Sequence, residues 1–323
     1  MNDLLFLHHH ITGKLSFRAE FRQVCPRQEP SPKWEKYNNR KQGIKNMTVR
    51  EIVDEIIAKA GVEPLPEDKT CDHLMTGSWD MEVKGIVSTF MATVDVIKET
   101  INLGANFIIT HEPTWFSGAD DTEWLSNDPV YLEKKKLIEE HNIAIWRFHD
   151  HMHMSHEDGI YRGFDEELDW AKYRVAGTGE LGWFGAIYEL PETTLEELAL
   201  FFQKKMDMKD VQLVGDPKMP VKRVSVLVGG GSLGLGQENL PMKHMYQENI
   251  DVAICGDITE WTLSAYVRDA SQLGMNKGML VLGHERSEEW GMKHLPAWLK
   301  SITGDLPVTF VDAKEPFTYV IEK

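Results

Sequence analysis

Three stretches of the chain set imidazoles beside carboxylates: His111-Glu112, His149-Asp150-His151-Met152-His153, and His284 with Glu288 four residues on. Mixed imidazole and carboxylate ligands suit Zn, Mn, Fe or Co better than Ca or Mg, which prefer oxygen alone. Five of the thirteen histidines fall between 141 and 156, so the middle stretch is the densest in donors. If a strand runs on through it, alternation puts His149, His151 and His153 on one face. If a helix opens near Glu285, His284 and Glu288 share the face of its first turn. His141 and His294 stand apart and read as surface hydrogen-bonding groups.

A glycine run adds a second kind of chemistry. Gly229, Gly231 and Gly234 satisfy G-x-G-x-x-G after an apolar run, and Asp257 follows the next one. A dinucleotide site needs a helix to open at once after the glycines, whereas Gly236 and Pro241 delay it here. The better expectation is an anion-cradling loop, Gly229, Gly230, Gly231 and Ser232, beside a metal site.

The elements that must position these groups alternate. Gly85–Ala92, Asn106–Thr110 and Ile143–Phe148 read as buried strands, with helices over Val94–Leu103 and Pro129–Asn142 between them. Gly104 has the position of a helix-ending glycine. The βαβαβ order implies a parallel sheet with right-handed crossovers, which gathers the residues after each strand on one edge. A second series runs from Val224–Val228 through Asp251–Cys255 to Met279–Leu282, with helices over 238–249, 260–273 and 287–302. Between the series, Trp183–Leu190 and Val211–Val214 read as strands around a helix that Thr193-Thr-Leu-Glu196 would cap. The fold class is α/β: two α/β domains with mostly parallel sheets in three α/β/α layers. The first spans 47–170, an α+β linker module 171–220, and the second segment 221–323. His111, Glu112 and the 149–153 run come from the first, His284 and Glu288 from the second, so a metal held by both would tie the halves together.

Charge excludes several classes of function. The chain has 323 residues with 35 Lys+Arg and 51 Asp+Glu, a formal charge of −16. Residues 1–46 hold nine bases against four acids, +5, which leaves −21 for the rest. With Pro26, Pro30 and Pro32 and no apolar period, they read as a poorly ordered basic extension. Their four acids argue against a transit peptide, and the triplet His8-His9-His10 sits there, apart from the other histidines. Thr48-Val-Arg-Glu51 is a capping-box signature that makes Met47 a candidate start. So acidic a body repels phosphates over most of its surface, which excludes general nucleic-acid binding. No apolar run approaches the roughly 18 residues of a membrane span. Cys25, Cys71 and Cys255 contain no C-x-x-C, so neither a disulfide framework nor a thiolate zinc site is expected, and a reducing cytoplasm is the default.

Thr110-His-Glu-Pro-Thr-Trp-Phe116, Arg147-Phe-His-Asp-His-Met-His153, Gly256-Asp257 and Gly283-His-Glu-Arg-Ser-Glu288 occur in this order at expected strand ends. From about Thr48 onward the chain thus resembles the Nif-three-like dinuclear metal centre family, many of whose members are labelled GTP cyclohydrolase I type 2. The family pattern has His-His-Pro, then His-x-x-x-Asp, then His-x-x-x-Glu. This chain keeps His111, Pro113, His149, His284 and Glu288, but Glu112 stands where the second His is usual and His153 where the Asp is usual. The exchange is reciprocal and leaves three imidazoles and two carboxylates: His111, His153, His284, Glu112 and Glu288. The resemblance implies two divalent metal ions per subunit in a toroidal homohexamer. It also implies hydrolysis of a nucleotide-like or cyclic-amide small molecule, because two such ions can bridge a water and lower its pKa. His149 with Asp150 would orient ligands or shuttle a proton. The rival expectation is a non-enzymatic metal-binding scaffold or metal-handling protein.

Overall fold

The computed structural model describes residues 47–178 and 180–320, so the expected extension 1–46, with His8 to His10, lies outside the described residues. Thr48 and Glu51 form the expected capping box and open α1 (Val49–Ala60), which Gly61 ends in a left-handed turn at φ 74°. Then come β1 (Leu74–Thr76), β2 (Ile86–Thr89), α2 (Val94–Asn102), β3 (Phe107–Thr110), α3 (Pro129–Glu140) and β4 (Ala144–Arg147). Next are α4 (Asp150–Met154), α5 (Gly159–Leu168), β5 (Arg174–Val175), β6 (Ala186–Thr194), α6 (Leu195–Lys205), β7 (Gln212–Val214) and β8 (Pro220–Leu227). The chain closes with α7 (Leu240–Gln247), β9 (Val252–Cys255), α8 (Leu263–Gln272), β10 (Gly278–Val281), α9 (His284–Thr303) and β11 (Val308–Phe310). No described helix is long and apolar enough to cross a membrane.

The α/β class holds, with two sheets. The first has the order β1-β4-β3-β2-β11, parallel except for β1. The second has the order β5-β6-β8-β9-β10-β7, and only β8, β9 and β10 run parallel. Alternation divides the apolar residues between two faces of each sheet. Phe107 and Ile109 face a large core with α1, α5, α6 and α9, whereas Ile108 packs toward α2 and α3. In the second sheet Val224, Val226 and Ile254 face that same large core, and Ala253, Cys255 and Met279 pack toward α7 and α8. One helical layer therefore lies between the two sheets and serves both.

Two boundaries differ from the sequence reading. Residues 171–220 form no separate linker: β6 pairs antiparallel with β8, and β7 with β10, so the stretch completes the second sheet. An apolar strand cannot leave its ladder groups unpaired, and the nearest free edges were those of β8 and β10. The cap of α6 is Thr194 with Glu197, one residue later than expected. At the other end, β11 leaves the second series and pairs parallel with β2. α9 goes with it, since Ser88 Oγ donates to the Met292 carbonyl at 2.9 Å. Close approach of α9 to α5 depends on glycine: a Cβ at Gly163 would collide with the Trp290 carbonyl, and one at Gly291 would lie 2.8 Å from the Ile160 Cα. The two sheets are thus already tied by packing, before any metal is considered. The parallel strands of both sheets end at one place, where β3, β4, β8, β9 and β10 deliver His111, His149, Gly229, Asp257 and His284.

Candidate metal centre

His111 follows β3 directly and is fully buried. Its Nδ1 lies 3.2 Å from the Phe148 carbonyl. A carbonyl only accepts, so Nδ1 carries a proton and Nε2 is the ring nitrogen turned to the cluster. Glu112 is held from behind by Arg147, whose Nη2 donates to Glu112 Oε2 at 3.0 Å. The same guanidinium donates to the His111 and Gly118 carbonyls, which fixes it in place. Glu112 Oε1 is left facing inward, 3.2 Å from His284 Nε2 and 3.6 Å from His149 Nε2.

The second stretch folds otherwise than expected. Residues 150–154 are the short helix α4 and not a continued strand, so His149 and His153, four apart, come together, and His151 turns away. The cause is Asp72: its carboxylate accepts from the amides of His149, Asp150 and His151 at 2.7, 2.8 and 3.0 Å and stabilises the helix start. Asp72 also takes His151 Nδ1 at 2.7 Å, while His151 Nε2 accepts from the Leu65 amide. His149 Nδ1 is held by Asp150 at 3.0 Å and His153 Nδ1 by Asp158 at 2.9 Å. His111, His149 and His153 each offer a donor atom within 4.8 Å of the others.

The third stretch is as expected. α9 opens at His284, which puts Glu288 one turn on, with His284 Nε2 3.1 Å from Glu288 Oε2. Asp257, after β9, takes His284 Nδ1 at 2.8 Å. The glycine run folds as a 3-10 turn, Gly229–Leu233. Its Gly229 amide donates to Ser287 Oγ, its Gly231 amide to the Val228 carbonyl, and its Ser232 hydroxyl to the Gly229 and Asp257 carbonyls. Those donors are committed within the protein. Gly229 has φ +49°, and a Cβ there would collide with Glu288 Oε1 and lie 2.6 Å from His284 Nε2. The loop is a wall that leaves room for these two side chains.

Each of the four imidazoles therefore has its Nδ1 held by an oxygen, the arrangement that orients metal-ligating histidines. Burial pushes the Glu112 carboxyl up, but His284 and the His111 and His149 rings outweigh it and bring it down to about 2. Glu288 is likewise held well below the carboxylate range, by His111 and His284 against the effect of burial. Burial lowers His149, which keeps that ring neutral near pH 7. His284 is pushed down by burial and, more strongly, up by Asp257, Glu112 and Glu288, to about 12. A proton on His284 thus sits where a cation would compete with it.

Two atoms show whether a metal fits. His111 Nε2 and Glu288 Oε2 are buried, 3.4 Å apart, and neither has a hydrogen-bond partner. Glu288 Oε2 has the His284 ring beside it at 3.1 Å, but His111 Nε2 is left with no hydrogen bond at all; buried polar atoms held this way are costly, and a divalent ion would satisfy both at once. His111, Glu112 and Glu288 offer one donor atom each within 4.8 Å of one another, a second group that shares His111 with the three histidines. Sequence reasoning missed Asp72 and Asp158, which lie in no histidine run, and passed over Arg147 as a holder of Glu112. His151, grouped with the others by alternation, faces elsewhere.

The model of the Duf34/NIF3 (NGG1p interacting factor 3) family matches residues 47–316. A Clostridium acetobutylicum protein named GTP cyclohydrolase 1 type 2 homolog is 28% identical over 231 residues, covering 69% of this chain and 79% of that protein. An Escherichia coli protein of the same name is 22% identical, covering 84% of this chain and 100% of its own. Among solved structures, a Bacillus cereus protein related to NIF3 has a TM-score of 0.64 at 16% identity, covering 85% of this chain and 100% of that one. A Staphylococcus aureus protein has a TM-score of 0.63 at 19% identity, with the same coverage. These two likenesses concern the fold.

Proposed function

Since the chain belongs to the Duf34/NIF3 family, we propose that it is a metal-dependent hydrolase built around two divalent ions. The observation that carries this reading is the buried pair His111 Nε2 and Glu288 Oε2, 3.4 Å apart and neither hydrogen-bonded. Around it, Glu112, His153 and His284 complete the ligand set. The carboxylates of Glu112, Glu288, Asp150, Asp158 and Asp257 border the four imidazoles, an anionic setting that favours cations. Bound divalent ions would supply Lewis acidity toward water and a substrate oxygen. Zn, Mn, Fe and Co all match the donor chemistry.

The chain's own residues supply the rest. Asp150 fixes the His149 ring, whose Nε2 faces the cluster and is neutral near pH 7, so His149 takes up or releases a proton there. Arg147 holds Glu112 and keeps one of its oxygens turned inward. The relatives' name, GTP cyclohydrolase 1 type 2 homolog, directs the substrate search toward nucleotide-like and cyclic-amide molecules, with ring opening of a purine nucleotide first. The Gly229 and Gly231 amides and the Ser232 hydroxyl, already bonded within the protein, favour a second reading, a metal-handling protein or scaffold without phosphate recognition. The same proposal includes a homohexamer, to which exposed Trp124, Tyr246 and Trp261 are available as contacts. The test is hydrolysis of GTP and related purine nucleotides by metal-loaded protein, with the mass in solution measured alongside. Turnover abolished by chelation and by Glu288→Gln supports the hydrolase; full metal loading without turnover of any of them supports the second reading.

A further inference from the structure

On α9, one step round the helix from His284 and Glu288, a second group of acids closes on itself. Glu285 and Glu289, a turn apart, and Asp312, just beyond β11, each offer a carboxylate oxygen within 4.8 Å of the others. Glu285 is 6% exposed and Glu289 5%. Both oxygens of Glu285 are buried and have no hydrogen-bond partner. Arg286 is the cation in the group: its Nη1 lies 2.7 Å from Glu289 Oε2 and 3.6 Å from Asp312 Oδ2, but its Nε, 3.4 Å from Glu285 Oε2, makes no hydrogen bond. With all three carboxylates ionised, the one guanidinium would leave two negative charges in a place where unbalanced charge is expensive.

We propose that Glu285, Glu289 and Asp312 form a separate site for one hard divalent cation, Mg2+ or Ca2+. An all-oxygen set selects such an ion, in contrast to the imidazole-rich centre next to it. One divalent charge neutralises the group with Arg286 in place. Asp312, whose side chain is 39% exposed, gives the ion a way in. The ion would join the start of α9 to the segment after β11, a strand that pairs with β2 of the first sheet. The site does not depend on the hydrolase reading.

The test counts ions. Metal-stripped full-length protein is equilibrated with Ca2+, and separately with Mg2+, up to about 1 mM, the range of weak carboxylate sites. Wild type and His284→Ala should each take up about one ion per chain, with a rise in melting temperature. Glu285→Gln should take up none and lose the rise. Asp312→Asn, a change at a part-exposed position, covers the case in which Glu285→Gln fails to fold, and should lose the same ion. Which of the two cations gives the uptake identifies the occupant. Absence of uptake by wild type with either ion overturns the proposal, as a proton shared by Glu285 and Glu289 would then relieve part of the charge. Uptake that persists in Glu285→Gln or Asp312→Asn, or disappears in His284→Ala, overturns it equally.

Discussion

His111 Nε2 and Glu288 Oε2 face one another at 3.4 Å, both buried and neither hydrogen-bonded. One follows β3 of the first sheet, and the other sits one turn into α9, 177 residues later in the chain. Every other feature of the centre can be read as holding this pair and its neighbours open toward a cation: the oxygen on each Nδ1, the guanidinium behind Glu112, the glycine at 229.

Glycine 229 gives a paired test. Gly229→Ala adds a Cβ against Glu288 and His284 at a positive φ, so both side chains must move. Gly230→Ala meets nothing within 4 Å. Metal content should fall sharply in the first variant and stay at the wild-type value in the second. Equal content in both would remove the loop from the site.

Asp72 should matter more than any residue of the histidine run it caps. Asp72→Ala removes the acceptor of three amides and of His151 Nδ1. Losing a cap costs about 1 kcal/mol and losing charged hydrogen bonds about 1.5–3 kcal/mol each, so the short helix should open and the His149–His153 spacing be lost. His151→Ala should lower the melting temperature but leave metal content unchanged. Metal loss in His151→Ala would restore the extended reading of this stretch.

That misreading shows where sequence pattern runs out. Strand ends were visible in the apolar runs before His111, His149 and His284, and the four-residue step from His284 to Glu288 correctly foretold a helix face. His149-Asp-His-Met-His153 fits alternation and a helical turn equally well. What decides is Asp72, 77 residues earlier, which nothing near the run announces. Long-range pairing also explains the domain boundaries: β6 with β8 and β11 with β2 join segments whose local sequence carries no mark of the partner. The reciprocal placing of Glu112 and His153 was legible by residue type, but the guanidinium that turns Glu112 inward was not.

Arg147 tests that last point. It is buried against Glu112, with side-chain exposures of 5% and 12%. Arg147→Met leaves a buried carboxylate without its partner, a change that costs about 3–5 kcal/mol. A lower melting temperature together with a Glu112-dependent loss of metal is the expected result. A variant as stable as wild type would show the pair to be unimportant.

Proton release follows from His284. Its folded pKa is raised, by Asp257, Glu112 and Glu288 against burial, to about 12. The sign is that of a raised group: its contribution to stability is full below the unfolded value of about 6.5 and is lost as pH climbs through about 12. A metal needs the neutral ring, so binding at pH 7 to 8 should release about one proton from this residue, and affinity should rise about tenfold per pH unit. Calorimetry in buffers of different ionisation enthalpy counts that proton, and a count of zero would contradict the assignment of His284 as a ligand.

The central claim is that Glu288 serves a cluster holding two ions. Elemental mass spectrometry of wild type and Glu288→Gln, purified side by side, measures it directly. The isosteric amide keeps the shape of the side chain but removes a charge that two dications require. The account predicts about two ions per wild-type chain and the loss of at least one in the variant, with the fold retained. Two ions kept by Glu288→Gln would contradict it.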